Sequence, residues 1–152
     1  MRTLLAVIVI LSACESVSLC STGDTNAGSG LTWNLKGSPP WGTTYKFDVR
    51  MGKKDRWDSA SLDSPPLQPG GAIQLARKFM QKVPLGEGWA TWRMDHVRLL
   101  RSEDSEGHEE WLYVVYFYAA NPGTLRSGPP DMSIPVRMDG TIPEPVITKI
   151  KS

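Results

Sequence analysis

Apolar Tyr45, Phe47, Val49 and Met51 alternate with polar Thr44, Lys46, Asp48 and Arg50. A period of two predicts a strand with one face in water. Leu31, Trp33 and Leu35 alternate with Thr32 and Asn34 just upstream, which predicts a shorter strand. The turn-prone stretch Gly37-Ser38-Pro39-Pro40-Trp41-Gly42 separates the two. Residues 52–68 are charged and then rich in Ser and Pro, and read as a connection. The period changes at 69–83, PGGAIQLARKFMQKV, where Ala72, Ile73, Ala76, Phe79, Met80 and Val83 recur at three- and four-residue steps. That spacing predicts an amphipathic helix, with Gln74, Arg77, Lys78, Gln81 and Lys82 mostly on the wet side. Pro69 suits the first helical position, and Pro84, Gly86 and Gly88 predict the stop. Arg77, Lys78 and Lys82 suit the negative end of the helix dipole.

Only strands are predicted beyond the helix. Residues 90–101 alternate with a shift near Val97, which predicts a bulge. Residues 102–109, SEDSEGHE, predict a solvated hairpin loop, and 110–119, EWLYVVYFYA, form the most β-prone stretch of the chain. A Gly/Pro-rich loop is predicted over 120–131. Met132, Ile134, Val136 and Met138 then alternate, Asp139-Gly140 predicts a two-residue turn, and Thr141 to Ile147 would return. Pro135, Pro143 and Pro145 lack an N–H, which places this last pair at or near a sheet edge. A lone amphipathic helix must bury its stripe, and the concave side of the sheet is the surface available. The predicted fold class is therefore α+β: one amphipathic helix packed across a curved antiparallel sheet of about four to five strands.

Composition narrows the function classes. The chain has 152 residues, 17 Lys+Arg and 16 Asp+Glu, and 40% hydrophobic residues. That apolar fraction excludes a wholly disordered chain, and the length fits one domain with a short extension. A near-zero net charge argues against nucleic acid as a partner, since phosphate binding needs a clustered basic excess. Two Cys and two His give neither a disulfide framework nor a His-rich metal centre, so no cofactor is expected.

The amino terminus carries an address. Arg2 precedes an unbroken apolar run from Leu4 to Leu11, too short to cross a bilayer, which predicts an export signal over residues 1–13. Leu11-Ser12-Ala13-Cys14 resembles the lipobox of bacterial lipoproteins, and the resemblance implies that Cys14 carries a lipid anchor. Cleavage near Ala13 or Ser18, giving a secreted protein, is the alternative. Leu19 before Cys20 fits the lipobox less well. Residues 14–30 then read as the lipidated Cys and a small-residue tether, and 31–152 as a single domain. Localisation is expected to be exported, as an envelope lipoprotein or a secreted protein.

The helix followed by a meander, over about residues 43–147, resembles cystatin-like architectures and the PepSY-type domains of exported bacterial proteins. Asp139-Gly140 loosely matches the hairpin tip of the latter. Cystatins insert an apolar wedge into cysteine proteases. Here the corresponding loops are the acidic Ser102 to His108 segment and Asp139-Gly140, and neither could fill such a cleft.

The remaining chemistry is sparse. Asp95 and His96, adjacent in a strand, are expected to point to opposite faces and so not to form a dyad with each other. An enzyme would need His96 in a cavity near a carboxylate from another strand. The run Glu103, Asp104, Glu106, Glu109 and Glu110 with His108 lacks the spacing of a Ca²⁺ loop and reads as a hairpin tip balanced by Arg93, Arg98 and Arg101. Strand 111–119 is apolar on both faces, with Trp111, Tyr113, Val115 and Phe117 on one and Leu112, Val114, Tyr116 and Tyr118 on the other. Both faces should be covered, one by the helix and one by the segments around Trp33, Trp41 and Trp57 or by a partner. Trp111, Tyr113, Phe117, Tyr116 and Tyr118 are thus the candidate interaction surface. The expected function is a non-enzymatic envelope module contacting another envelope protein. The alternative is binding of a small apolar ligand or glycan at the aromatic face or in a helix–sheet pocket.

Overall fold

The computed structural model describes residues 32–61, 63–121, 123 and 130–149. The expected leader, Cys14, Cys20 and the tether lie outside these residues, as does most of the 120–131 loop. The element order is β1 (Thr32–Gly37), β2 (Thr43–Arg50), a short 3-10 turn (Lys53–Asp55), α1 (Pro69–Met80), β3 (Thr91–Glu103), β4 (Glu109–Ala120), β5 (Met132–Arg137) and β6 (Val146–Lys149).

The strands form two three-stranded antiparallel sheets, ordered β1-β2-β6 and β3-β4-β5. This corrects the expectation of one helix across a single sheet of four to five strands. The structure is mostly sheet, and the amino-terminal hairpin is a layer in its own right. The error begins after Gly140. Arg137 N–H still donates to Thr141 C=O at 2.9 Å, so the predicted turn closes. Pro143 and Pro145 then interrupt the ladder, and the chain leaves β5 altogether. Val146–Lys149 pairs with β2 instead, aligning Thr43 with Lys149 and Lys46 with Val146.

The two sheets meet where β1 ends and β5 begins. Ser38 N–H donates to Asp131 C=O at 2.8 Å. Gly37 permits this approach, because a Cβ there would collide with Met132 Sδ and lie 3.2 Å from the Met132 Cα. One continuous core joins both sheets and the helix. Phe47 and Val49 of β2, Leu112, Val114 and Val115 of β4, and Met132, Ile134 and Val136 of β5 have no exposed surface. Ala72 and Ala76 bring α1 close to these strands, and Phe79 meets Phe47 with ring centroids 5.8 Å apart.

The helix is α-helical to Met80 and then tightens, with Lys82 N–H bonded to Phe79 C=O at 2.9 Å and Val83 N–H to Met80 C=O at 3.1 Å. Pro84 ends it, as its missing N–H requires. The predicted bulge in β3 falls between Met94 and Val97. Among the described residues no helix is long and apolar enough to cross a membrane.

Candidate functional site

A groove of about 790 Å³ opens where the last turn of α1 faces the start of β3 and the end of β4. Met80 and Val83 come from the helix end, Pro84 and Leu85 from the turn after it, Trp92 and Met94 from β3, and Phe117 from β4. Arg77, Gln81, Ala90, Thr91, Arg93 and Tyr118 complete the lining. The wall is held in place locally. Trp92 Nε1–H donates to Val83 C=O at 3.3 Å, fastening β3 to the helix end. Trp41 packs edge-on against Trp92 with centroids 5.4 Å apart and also meets Trp89 at 6.4 Å. Gly86 leaves room for that indole, since a Cβ there would sit 2.6 Å from the ring.

A second feature is a group of charges in the interior. Asp55 is fully buried and accepts from Arg137 Nη1 at 2.6 Å and from Gly52 N–H at 3.1 Å. Arg137 Nη2 also donates to Arg50 C=O at 2.6 Å, so this one side chain ties β5 to the end of β2. Glu110 is 2% exposed, and Glu110 Oε2, Asp55 Oδ1, Arg56 Nε and Ser102 Oγ have no hydrogen-bond partner among the described residues. Burial pushes the Glu110 carboxyl above its ordinary range, and the neighbouring Asp104 and Asp55 charges push it further. Burial likewise raises Asp55, by more than Arg137 offsets.

The Glu110 shift has a sign that can be checked. A raised carboxyl pKa means the folded protein holds that proton more tightly than the unfolded chain. The associated stability is fully present below the unfolded pKa and is lost as pH rises through the folded one. Glu110→Gln, which cannot ionise, is therefore expected to be more stable than the parent at pH 7.5 and no more stable at pH 3.5. Urea unfolding at the two pH values checks this, and an equal difference at both would contradict it.

The hairpin loop after β3 is built around Asp104. Its carboxylate accepts from Glu106 N–H and His108 N–H, both at 2.9 Å, and from Arg56 Nη2 at 2.5 Å. Burial alone would raise this carboxyl, but those bonds, the His108 ring and the Arg56 charge together bring it down to about 2. Asp104, Glu106 and His108 offer ligand atoms within 4.8 Å of one another, enough to touch a cation. The Arg56 guanidinium already supplies a positive charge there. The balancing arginines differ from expectation. Arg101 pairs with Glu103 at 2.5 Å and Glu109 at 2.8 Å, and Arg56 takes Asp104, whereas Arg93 and Arg98 form no ion pair among the described residues.

Asp95 and His96 require a correction. His96 Nδ1 lies 2.9 Å from Asp95 Oδ2, because the bulge breaks the strict alternation that would have separated them. His96 is half-exposed, stacks on Tyr116 at 4.3 Å, and is not among the residues lining the groove. The five candidate aromatic residues separate. Tyr113 and Phe117 are each 2% exposed and belong to the core, while Trp111, Tyr116 and Tyr118 are half-buried. Trp111 is covered by Trp57, at 5.3 Å between rings, and donates to Trp57 C=O at 2.9 Å. Trp41, expected near the same strand face, packs against Trp92 and Trp89 instead.

No family model, curated protein or solved structure matches the chain.

Proposed function

We propose that the folded region is a non-enzymatic binding module that seats a small, apolar-bodied ligand between α1 and the β3–β4 pair. The observation that carries this reading is the groove itself. Its volume of about 790 Å³ falls in the range used for small molecules, and Met80, Val83, Trp92, Met94 and Phe117 supply an apolar wall. The protein-contact reading has less behind it, since Tyr113 is core and Trp111 is covered by Trp57. On the proposed reading the module is exported, and a lipid at Cys14 would hold it at a membrane surface where apolar ligands concentrate.

The neutral dye N-phenyl-1-naphthylamine tests the groove. Its fluorescence should rise on mixing with the full chain. Ala90 is exposed and lines the groove, so Ala90→Trp should fill the space without disturbing the core, and the rise should be lost. An unchanged signal with Ala90→Trp, or no signal with the parent, would remove the reading.

A further inference from the structure

We infer that the groove selects an amphiphile with an anionic head, a long-chain carboxylate in the first instance. This rests on the groove being a ligand site, and adds what the ligand must carry. Two of its lining residues are charged, Arg77 on α1 and Arg93 on β3, and both are cations. Among the described residues no carboxylate lines it. Both arginines are exposed, and among the described residues neither guanidinium makes a hydrogen bond or an ion pair. Arg56, Arg101 and Arg137 all have carboxylate partners by contrast. An unpaired guanidinium in the wall of a groove of mixed polarity keeps its forked donors for a ligand, and that fork matches a carboxylate bidentately.

The negative end of α1 opposes this, because it disfavours an anion. That end is largely occupied. The carbonyls of Arg77, Phe79, Met80 and Val83 already accept from Gln81 N–H, Lys82 N–H, Val83 N–H and the Trp92 indole. Two unpaired guanidinium charges therefore set the sign at the groove, and the half-buried Leu85, Trp92 and Met94 of its wall take the chain.

Isothermal titration of the full chain with decanoate, decanol and decyltrimethylammonium reads this selection. Decanoate should bind about tenfold or more tightly than either of the others. Arg77→Gln and Arg93→Gln should each weaken decanoate about tenfold and leave decanol unchanged. Both positions are exposed, so folding should survive, and far-ultraviolet circular dichroism checks that it does. If all three chains bind alike and Ala90→Trp abolishes them together, the head-group inference falls while the ligand site stands. If no chain binds, both fall. Binding of the full chain to phosphatidylglycerol vesicles through the same two arginines, with no affinity for decanoate, would also overturn the proposal in favour of a lipid surface.

Discussion

Asp55→Ala is expected to cost about 3–5 kcal/mol of stability, the range for removing one partner of a buried ion pair. Three losses coincide. The Arg137 guanidinium, 12% exposed, loses the only carboxylate with which it forms an ion pair among the described residues. The Gly52 N–H loses its acceptor, and the short turn at 53–55 loses the side chain that closes it. Arg137 also reaches the Arg50 carbonyl, so a guanidinium seeking water would loosen the junction of β5 with the end of β2. Asp55→Asn keeps a neutral acceptor for Gly52 and should cost less. Joint replacement by Leu at 55 and Met at 137 should recover much of the loss, since a buried pair roughly breaks even against apolar groups of similar size. Urea unfolding of the parent, Asp55→Leu, Arg137→Met and the double variant checks this as a double-mutant cycle, with Asp55→Ala and Asp55→Asn measured beside them. A loss below about 1 kcal/mol for Asp55→Ala would show that the pair is solvated in solution.

Phe47→Ala is expected to cost a similar amount, about 3–5 kcal/mol, from lost transfer energy and the cavity left behind. Its placement explains the size. Phe47 is fully buried at the centre of β2 and meets Phe79 of α1, so one ring joins the sheet β1-β2-β6 to the helix. Ordinary domains are stable by only about 5–15 kcal/mol, so this variant should unfold at a much lower urea concentration. The slope of free energy against urea should stay the same if only the native core is affected. Val146→Ala, at a site 60% exposed, provides the contrast and should change stability by less than about 0.5 kcal/mol. Near-equal costs at 47 and 146 would mean that the two layers do not share a core.

The sequence patterns located single elements well and their assembly poorly. β2 and α1 each satisfy one period over seven or more residues, β4 is an unbroken β-prone run, and burial follows the period in β2, whose Tyr45, Phe47 and Val49 are all buried. The bulge was legible because Val97 falls out of step, but its consequence for Asp95 and His96 was not, since alternation was assumed on both sides of it. β6 was placed beside β5 because Asp139-Gly140 is a sound turn signal. Nothing local in Val146-Ile147-Thr148-Lys149 says that its partner lies about a hundred residues upstream. Asp55 was hidden in the run Gly52-Lys53-Lys54-Asp55-Arg56, which has the composition of a solvated connection. Its burial depends on Arg137, a residue that no spacing rule links to it. Arg77 and Arg93 were legible as charges, one on the wet side of a helix and one opposite an acidic loop. Their common position at a groove arises only once β3 is fastened to the helix end.

The pairing of β6 with β2 also governs the order in which the molecule can be assembled. β3 and β4 are neighbours along the chain and zip from their own hairpin, whereas the hairpin β1–β2 receives its third strand only when residues 146–149, about a hundred positions downstream, arrive. Closing a loop of that length is slow, because its entropy must be lost before any contact compensates for it. Until residues 146–149 dock, one half is ready-made and the other waits with an edge of β2 unpaired. Deleting those four residues would leave that strand with an open flank.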